Sequence, residues 1–149
     1  MITQKWDERF ARLAEHIAQW SKDPSTKVGA VIVDPKRRVV GMGYNGFPRG
    51  VADTFIRYHD REQKYEMIVH AEINAILNAV QSVAGCTLYT WPLKTCARCA
   101  AAVIQAGITD VVVPSTGQTM HDKWVESWNV AQRMYQEAGI SLREVVIYE

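Results

Sequence analysis

Apolar residues recur every three or four positions near the start of the chain. The members of this stripe are Trp6, Phe10, Leu13, Ile17 and Trp20. Because an α-helix turns about 100° per residue, residues at this spacing share one face, so the stripe predicts an amphipathic first helix over residues 6–20. The dipeptide Asp-Pro follows at positions 23 and 24, where proline disfavours helical backbone in the residue before it, and we expect the helix to stop there.

Two short β-branched runs come next, VGAVIVD at residues 28–34 and RVVGMGYN at residues 38–45. The segment DPKR between them has the composition of a tight turn, because proline presets φ for the corner position. The two runs therefore predict a β-hairpin. The following stretch, GYNGFPRG at residues 43–50, is a loop marked by glycine and proline, and residues 51–69 are polar and receive no assignment.

The remainder of the chain alternates between helix and strand patterns. Helices are predicted at residues 70–78, 96–107 and 123–139, the last two ending at glycines, and strands at residues 87–90, 108–114 and 143–148. The order α-β-β-α-β-α-β-α-β predicts an α/β fold of three layers, a mixed five-stranded sheet with helices on both faces. Parallel and antiparallel pairing of the final strand both fit. No linker or repeat divides the chain, so residues 1–149 are predicted to form one domain.

Composition narrows the classes of function. The chain has 149 residues, 48% of them apolar, and a formal net charge of +1. This balance argues against binding duplex nucleic acid, although a small anionic ligand needs only one or two local cations. Three cysteines without a secretion signal argue against a disulfide framework, and no apolar run is long enough to span a membrane. We therefore expect a cytoplasmic protein.

Two motifs carry candidate chemistry, HAE at residues 70–72 and TCARC at residues 95–99. Zinc favours His nitrogen and Cys thiolate as ligands. Cys96 and Cys99 are three apart at the start of a predicted helix, so both can face one ion, and the positive end of the helix favours their thiolate form. If the two helix starts lie side by side, His70 completes a set of three ligands. Three protein ligands leave one position open, as in catalytic zinc sites.

Glu72 lies two residues after His70, so on a helix it points away from the same ion and is a candidate proton carrier rather than a ligand. Other interpretations remain open at this point. A Cys-x-x-Cys pair can also be two buried core cysteines or a redox pair, and His-x-Glu alone carries little information. We interpret Cys86 as a buried apolar residue, and His16 and His59 as solvated or packed side chains.

Together the two motifs resemble the H-x-E…P-C-x-x-C signature of the zinc-dependent cytidine/deoxycytidylate deaminase superfamily. Within it the chain looks most like the deoxycytidylate (dCMP) deaminases, through SKDPSTKVGAVIV, GYNGFPRG, HAEINAI and CARCAAAVIQAGI, which span residues 21–108. The implied fold is the cytidine-deaminase-like α-β-α sandwich. Two positions depart from the pattern: Thr95 stands where the signature has proline, and Met120 where relatives often have tyrosine before a His-Asp pair.

The resemblance implies that His70, Cys96 and Cys99 hold Zn²⁺. It implies that Glu72 moves protons from the attacking water to N3 and to the departing amino group of cytosine, so that dCMP becomes dUMP and ammonia. It also implies that the backbone of Ala71 meets the base carbonyl.

Three further polar positions follow from the same resemblance. Asn45 is implied to bond the ribose 3′-hydroxyl, although a left-handed turn residue in Asn-Gly would explain it equally well. Lys27, beside Ser25 and Thr26, is the candidate cation for the 5′-phosphate, and a solvated turn lysine is the alternative interpretation.

Relatives of this kind are often homohexamers that dCTP activates and dTTP inhibits, with Mg²⁺ on the triphosphate. By resemblance the loop GYNGFPRG is the candidate effector site, through Tyr44, Gly46 and Arg49, since glycine backbone admits phosphates and arginine supplies charge. A tight connection between elements is the alternative. Trp124 and Trp128, four apart on a predicted helix, are interpreted as core. Rival functions are deamination of a nucleoside, a free base or tRNA, and nucleotide binding by a zinc protein without turnover.

Overall fold

The computed structural model describes residues 4–115 and 122–147. Within these ranges the elements, in chain order, are α1 Gln4–Ala18, β1 Gly29–Val33, β2 Val39–Tyr44, α2 Phe55–His59, α3 Arg61–Met67, α4 Ala71–Leu77, β3 Thr87–Trp91, α5 Ala97–Gln105, β4 Asp110–Pro114, α6 Asp122–Ala138 and β5 Ser141–Val145. Met120, one of the two departures from the deaminase pattern, lies outside the described residues. That the whole chain is one domain stays a prediction.

The five strands form one mixed sheet in the order β2-β1-β3-β4-β5. Strand β1 pairs antiparallel with β2 on one side and with β3 on the other, which confirms the predicted hairpin. Strands β3, β4 and β5 run parallel to one another, so the open question of the final strand is settled as parallel. The predicted mixed five-stranded sheet is confirmed.

Helices cover both faces of the sheet, as three layers require. Helix α1 packs on one face, where its apolar stripe meets alternate residues of the central strands, Val31, Val33 and Tyr89 among them. Helices α4, α5 and α6 pack on the other face against the intervening residues, such as Ile32 and Leu88. Because successive side chains of a strand point to opposite faces, one strand supplies both cores. Strand β1 is accordingly buried along its whole length.

The unassigned segment 51–69 contains two short helices. Each begins at a side-chain cap: the Thr54 hydroxyl accepts a hydrogen bond from the Arg57 N–H, and the Asp60 carboxylate accepts one from the Gln63 N–H. Such caps satisfy backbone donors that a helix start leaves unpaired. The helices are too short to show an apolar period, and for that reason the sequence pattern did not reveal them.

Among the element boundaries that differ from the prediction, two have a clear physical reason. Helix α1 ends at Ala18, because the N–H groups of the next three residues bond carbonyls three positions back rather than four, and Trp20 is left 52% exposed. The last strand covers residues 141–145 instead of 143–148, since its register against β4 pairs Ser141 with Asp110. It is an edge strand, buried only at Val145.

Helix α4 lies unusually close to strand β2. A Cβ atom placed on Gly43 would come within 2.4 Å of the Ala75 nitrogen, and one on Gly41 within 2.5 Å of the Ala75 oxygen. Both contacts are with helix backbone, which cannot move aside like a flexible side chain. Because glycine has no side chain, Gly41 and Gly43 allow β2 to approach α4, the helix that starts just after His70.

A buried polar network crosses the face covered by α1. Asp7 of α1 accepts hydrogen bonds from the Tyr89 hydroxyl at 2.7 Å and from Arg143 at 2.9 Å and 3.1 Å. The pairing ties α1 to β3 and β5. Asp7 is 6% exposed, so its charge is compensated by a guanidinium rather than by water.

In the part of the chain that the structure describes, every helix is too short or too polar to cross a lipid bilayer.

Candidate active site

Two helices begin side by side on the α4–α6 face of the sheet. His70 is the residue before α4, and Cys96 is the residue before α5, both with extended backbone. The Cys96 sulfur accepts a hydrogen bond from the Cys99 N–H, so the thiol itself acts as the cap of α5. The predicted convergence of the two motifs is thus what the fold produces.

The candidate ligand atoms of His70, Cys96 and Cys99 all lie within 4.8 Å of one another. The His70 Nδ1 atom is 3.2 Å from the Cys99 sulfur and 3.5 Å from the Cys96 sulfur. One imidazole nitrogen and two thiolates, grouped around one point, fit the tetrahedral preference of Zn²⁺. Among the described residues no fourth His, Cys, Asp or Glu joins this group. A bound zinc ion would therefore keep one position for a small ligand.

Without a metal ion, the three candidate ligands share protons among themselves. A hydrogen bond with Cys99 is the main reason that the pKa of Cys96 falls to about 4, with His70 contributing and burial opposing. The same bond, with burial, raises the pKa of Cys99, so the two sulfurs hold one negative charge between them. The bond to Cys96 in turn raises the pKa of His70. A metal ion replaces these shared protons when thiolates bind it.

Glu72 lies in the first turn of α4 and is 4% exposed. Burial raises the pKa of its carboxyl group, and the opposing effect of nearby His70 is smaller. Within the described residues Glu72 forms no ion pair with Lys or Arg, and it stands outside the three-residue ligand group. A buried carboxyl without a fixed cation can take up and release a proton during a reaction.

His70, Ala71 and Glu72 line a cavity of about 460 Å³. Leu93 and Trp124 form a wall beside them, and the Trp124 ring centroid is 6.1 Å from that of His70. The volume is in the range of small-molecule sites.

Part of the cavity wall is polar and is organised by Asp23. This buried carboxylate accepts hydrogen bonds from the N–H groups of Ser25 at 2.8 Å and Thr26 at 3.4 Å. It also pairs with the Lys64 ammonium at 2.8 Å and accepts from the Asn45 amide at 3.2 Å. Asp23 thus links three separate chain segments at the cavity.

Asn45 is buried and lines the cavity, but most of its amide is already engaged. Its nitrogen donates to Asp23 and to the Thr26 carbonyl at 2.9 Å, and its oxygen accepts from the Val28 N–H at 2.9 Å. The alternative interpretation as a left-handed turn residue is wrong, since Arg37 is the one described non-glycine residue with positive φ. The remaining capacity of Asn45 is one lone pair on its amide oxygen.

The candidate phosphate residues divide into two groups. Ser25 and Thr26 line the cavity, whereas Lys27 is exposed and does not. Two other cations do line it, Lys64 and Arg61, which are three apart on α3 and share a helix face. Of the three N–H groups on the Lys64 nitrogen, Asp23 takes one, and no further described partner is present.

The candidate effector residues lie outside the cavity lining. Tyr44 and Arg49 are exposed, and the Arg49 guanidinium donates to the Asn78 side chain at 3.0 Å. Gly46 pairs with Val69 in an isolated β-bridge, which holds the loop against the segment before His70. These contacts fit the alternative interpretation, a tight connection, and leave the effector role a prediction.

Helix α6 contacts the segment just before and inside the Cys-x-x-Cys turn. The Trp124 indole donates to the Lys94 carbonyl at 3.1 Å, and the Ala97 N–H donates to the Ser127 hydroxyl at 2.8 Å. Trp128 is 4% exposed, so its prediction as core is confirmed, while Trp124 is half-buried at the cavity.

The cavity positions of Asp23, Lys64, Arg61 and Trp124 are not evident from the sequence pattern. Asp23 was interpreted only as a helix stop, and Lys64 and Arg61 fall in the segment that received no assignment. The Asx-type cap at Asp60 was the available signal for a helix there. Cys86 is buried, His16 and His59 are exposed, and none of the three joins the metal-ligand group, as predicted.

A family model described as the cytidine and deoxycytidylate deaminase zinc-binding region matches residues 4–115. Mouse deoxycytidylate deaminase is 38% identical over 146 residues, which cover 94% of this chain and 79% of the mouse protein. A protein of Aliivibrio fischeri, described as an uncharacterized deaminase in the luxG 3′ region, is 42% identical over 141 residues, or 95% of this chain and 94% of that protein.

Among solved structures, the apo form of dCMP deaminase from the cyanophage S-TIM5 superposes with a TM-score of 0.73 at 22% identity. The match covers 96% of this chain and 99% of the phage protein. At this identity the superposition shows a shared fold.

Proposed function

Because this chain belongs to the cytidine and deoxycytidylate deaminase zinc-binding family, we propose that it hydrolyses dCMP to dUMP and ammonia, and so supplies dUMP for thymidylate synthesis. The observation that carries the proposal is the convergence of His70, Cys96 and Cys99 near buried Glu72, with His70 and Glu72 both lining a cavity of small-molecule size. In the overall reaction a water oxygen bonds to C4 of cytosine, the bond from C4 to the amino nitrogen breaks, and ammonia leaves.

His70, Cys96 and Cys99 would hold Zn²⁺, which when bound makes a water molecule more acidic and holds it near the substrate. Glu72 carries both protons of the attacking water in turn: the first goes to N3, and the second, from the oxygen now bonded to C4, goes to the leaving amino group. Burial suits this task, because it brings the pKa of the carboxyl group upward, closer to the pH at which the reaction runs. No co-reactant other than water is needed.

Substrate binding is proposed for the residues along the cavity. The N–H of Ala71 faces the base carbonyl, and Asn45 accepts a hydrogen bond from the ribose 3′-hydroxyl. The acceptor role follows from the contacts of Asn45, since both amide hydrogens are already given to Asp23 and Thr26. Asp23 supports this geometry by fixing the loop on which Ser25 and Thr26 lie.

For the 5′-phosphate, Ser25 and Thr26 are proposed as polar contacts, and either Lys27 or the α3 pair of Arg61 and Lys64 as the cation. Cavity lining favours the α3 pair. Loss of one charge-assisted hydrogen bond costs about 1.5–3 kcal/mol, which corresponds to a factor of about 10–100. We expect Arg61→Gln to raise KM for dCMP by about tenfold, and the matched variant Lys27→Gln by less than about twofold. The reverse pattern would assign the phosphate to Lys27.

The experiment that tests the function is ammonia release from dCMP and, in parallel, from deoxycytidine, cytosine and tRNA, with zinc content measured in the same sample. Turnover of dCMP well above that of deoxycytidine is expected. Comparable turnover of the nucleoside would show that no phosphate is read. Zinc-loaded protein that releases no ammonia from any of the four would indicate a nucleotide-binding zinc protein instead.

Regulation and assembly stay predictions. Activation by dCTP and inhibition by dTTP, with Mg²⁺ on the triphosphate, would act through the loop that contains Tyr44, Gly46 and Arg49, and the same assay with added dCTP and Mg²⁺ tests it. A homohexamer, expected by resemblance, is tested by light scattering. A cytoplasmic location is likewise proposed.

A further inference from the structure

Helix α6 holds the turn that presents both cysteines, in addition to the turn's own bond from the Cys99 N–H to the Cys96 sulfur. Three consecutive side-chain contacts hold it: Trp124 bonds the carbonyl of residue 94, Tyr135 bonds the side chain of residue 95, and Ser127 accepts from the N–H of residue 97. Cys96 lies between the second and third of these contacts. Its position in space is thus set from both sides by one helix.

The middle contact is the most deeply buried of the three. The hydroxyl oxygens of Thr95 and Tyr135 are 2.8 Å apart, and both residues are fully buried. In such surroundings an unpaired hydroxyl is costly, so the pair holds its geometry strongly. The two residues are 40 positions apart in the chain, so this bond is a tertiary contact and not a local turn.

Thr95 also occupies the position where the family signature has proline. A proline ring restricts the backbone of the turn covalently, by fixing φ near −65°. Threonine imposes no such restriction on φ, and among the described residues the N–H of Thr95 has no acceptor. Some other constraint must hold the residue that directly precedes the first sulfur ligand.

We propose that Tyr135 is a positioning residue that, through the Thr95 hydroxyl, holds the Cys-x-x-Cys turn in its metal-binding geometry and replaces the constraint of the missing proline. The inference rests on the zinc site of the proposed function. Groups that orient metal ligands without touching the metal typically change metal affinity by 10- to 100-fold when they are lost. Tyr135 never contacts the substrate in this role.

The test compares Thr95→Val, Tyr135→Phe and the double variant, with Thr95→Ser as the matched control that keeps the hydroxyl. Zinc dissociation is followed with a chromogenic chelator, and Co²⁺ in place of zinc gives an absorption spectrum that reports ligand geometry. Thermal melting of the metal-free proteins measures stability separately. Each single variant is expected to release zinc about tenfold faster, and Thr95→Ser within about twofold of the wild type.

The double variant separates positioning from stability. Removing both hydroxyls leaves no unpaired polar group, so the metal-free protein is expected to melt near the wild-type temperature. If the bond positions the turn, fast zinc release and an altered Co²⁺ spectrum persist in this stable protein. Zinc release that recovers together with stability overturns the inference. Wild-type protein that binds zinc but does not deaminate dCMP would contradict the proposed function alone, because the zinc measurements need no turnover.

Discussion

Two buried carboxylates lie on opposite faces of the same sheet, and only one of them is paired with a guanidinium. Asp7, in helix α1, accepts three hydrogen bonds, two of them from the Arg143 guanidinium. Glu72, at the start of α4, is buried to a similar degree but has no such cation among the described residues. The fold therefore ties one carboxylate to a guanidinium and leaves the other without a fixed cation.

This difference separates a structural role from a chemical one. A buried charge that is matched by a partner holds elements together, and its loss is felt in stability. A buried carboxyl without a fixed cation costs stability when it ionises, so it contributes little to holding elements together and is well suited to carry protons. Burial alone does not distinguish the two residues, whereas the presence of a guanidinium does.

Of the changes that test this comparison, replacing Glu72 should have the largest effect, and that effect is on turnover. Glu72→Gln keeps the shape of the side chain but removes its ability to carry protons. Turnover of dCMP is expected to fall by about 10³- to 10⁴-fold, or about 4–5.5 kcal/mol in activation free energy. Steady-state kinetics together with zinc content checks this result. Loss of zinc in the same variant would mean that Glu72 is a metal ligand, contrary to the geometry.

Removing the guanidinium that pairs with Asp7 should lower stability and leave catalytic activity unchanged. Arg143→Met leaves Asp7 buried without its guanidinium, and the free energy of unfolding is expected to fall by about 3 kcal/mol. Activity per folded molecule should not change, because Arg143 lies on the face away from the zinc ligands. Urea unfolding measures the loss. The exposed pair of Lys22 and Asp53, whose charged atoms are 2.8 Å apart, is the control, and Lys22→Met should leave the free energy of unfolding close to that of the wild type.

The smallest expected effect is the contribution of Glu72 to the pH dependence of protein stability. Because burial raises the pKa of Glu72 in the folded protein, its contribution to stability is full below the ordinary carboxyl value of 4.5 and is lost as pH rises through the folded value. Metal-free wild-type protein should therefore melt below metal-free Glu72→Gln at neutral pH, and the gap should close in acid. Calorimetry of both proteins across this range tests the sign. A gap that widens in acid would contradict it.

Strong local patterns made most of the fold predictable. The 3.6-residue stripe of α1, the β-branched runs of the hairpin and the alternation after residue 70 gave each element its type, and glycines 107 and 139, both with positive φ, end α5 and α6 as expected. The short helices α2 and α3 were missed because five and seven residues cannot show a period. The start of β5 depends on its register with β4, which no local signal contains.

The site was predictable where its residues are close in sequence and not where they are brought together by the fold. His70, Glu72, Cys96 and Cys99 stand in two compact motifs, and helix starts gave a physical reason for them to meet. Asp23 with Lys64, and Thr95 with Tyr135, are 41 and 40 positions apart. Their pairing depends on tertiary structure, so the sequence pattern offered no way to choose these partners over others.

The two glycines of strand β2 also limit how this gene can diverge. Any mutation at codon 41 or 43 that adds a side chain would push against the backbone of α4, the helix that carries Glu72 and begins next to His70. The neighbouring residues Met42 and Tyr44 point outward and are 39% and 40% exposed. Between codons 41 and 44, neutral drift is thus open at Met42 and Tyr44 and closed at the two glycines.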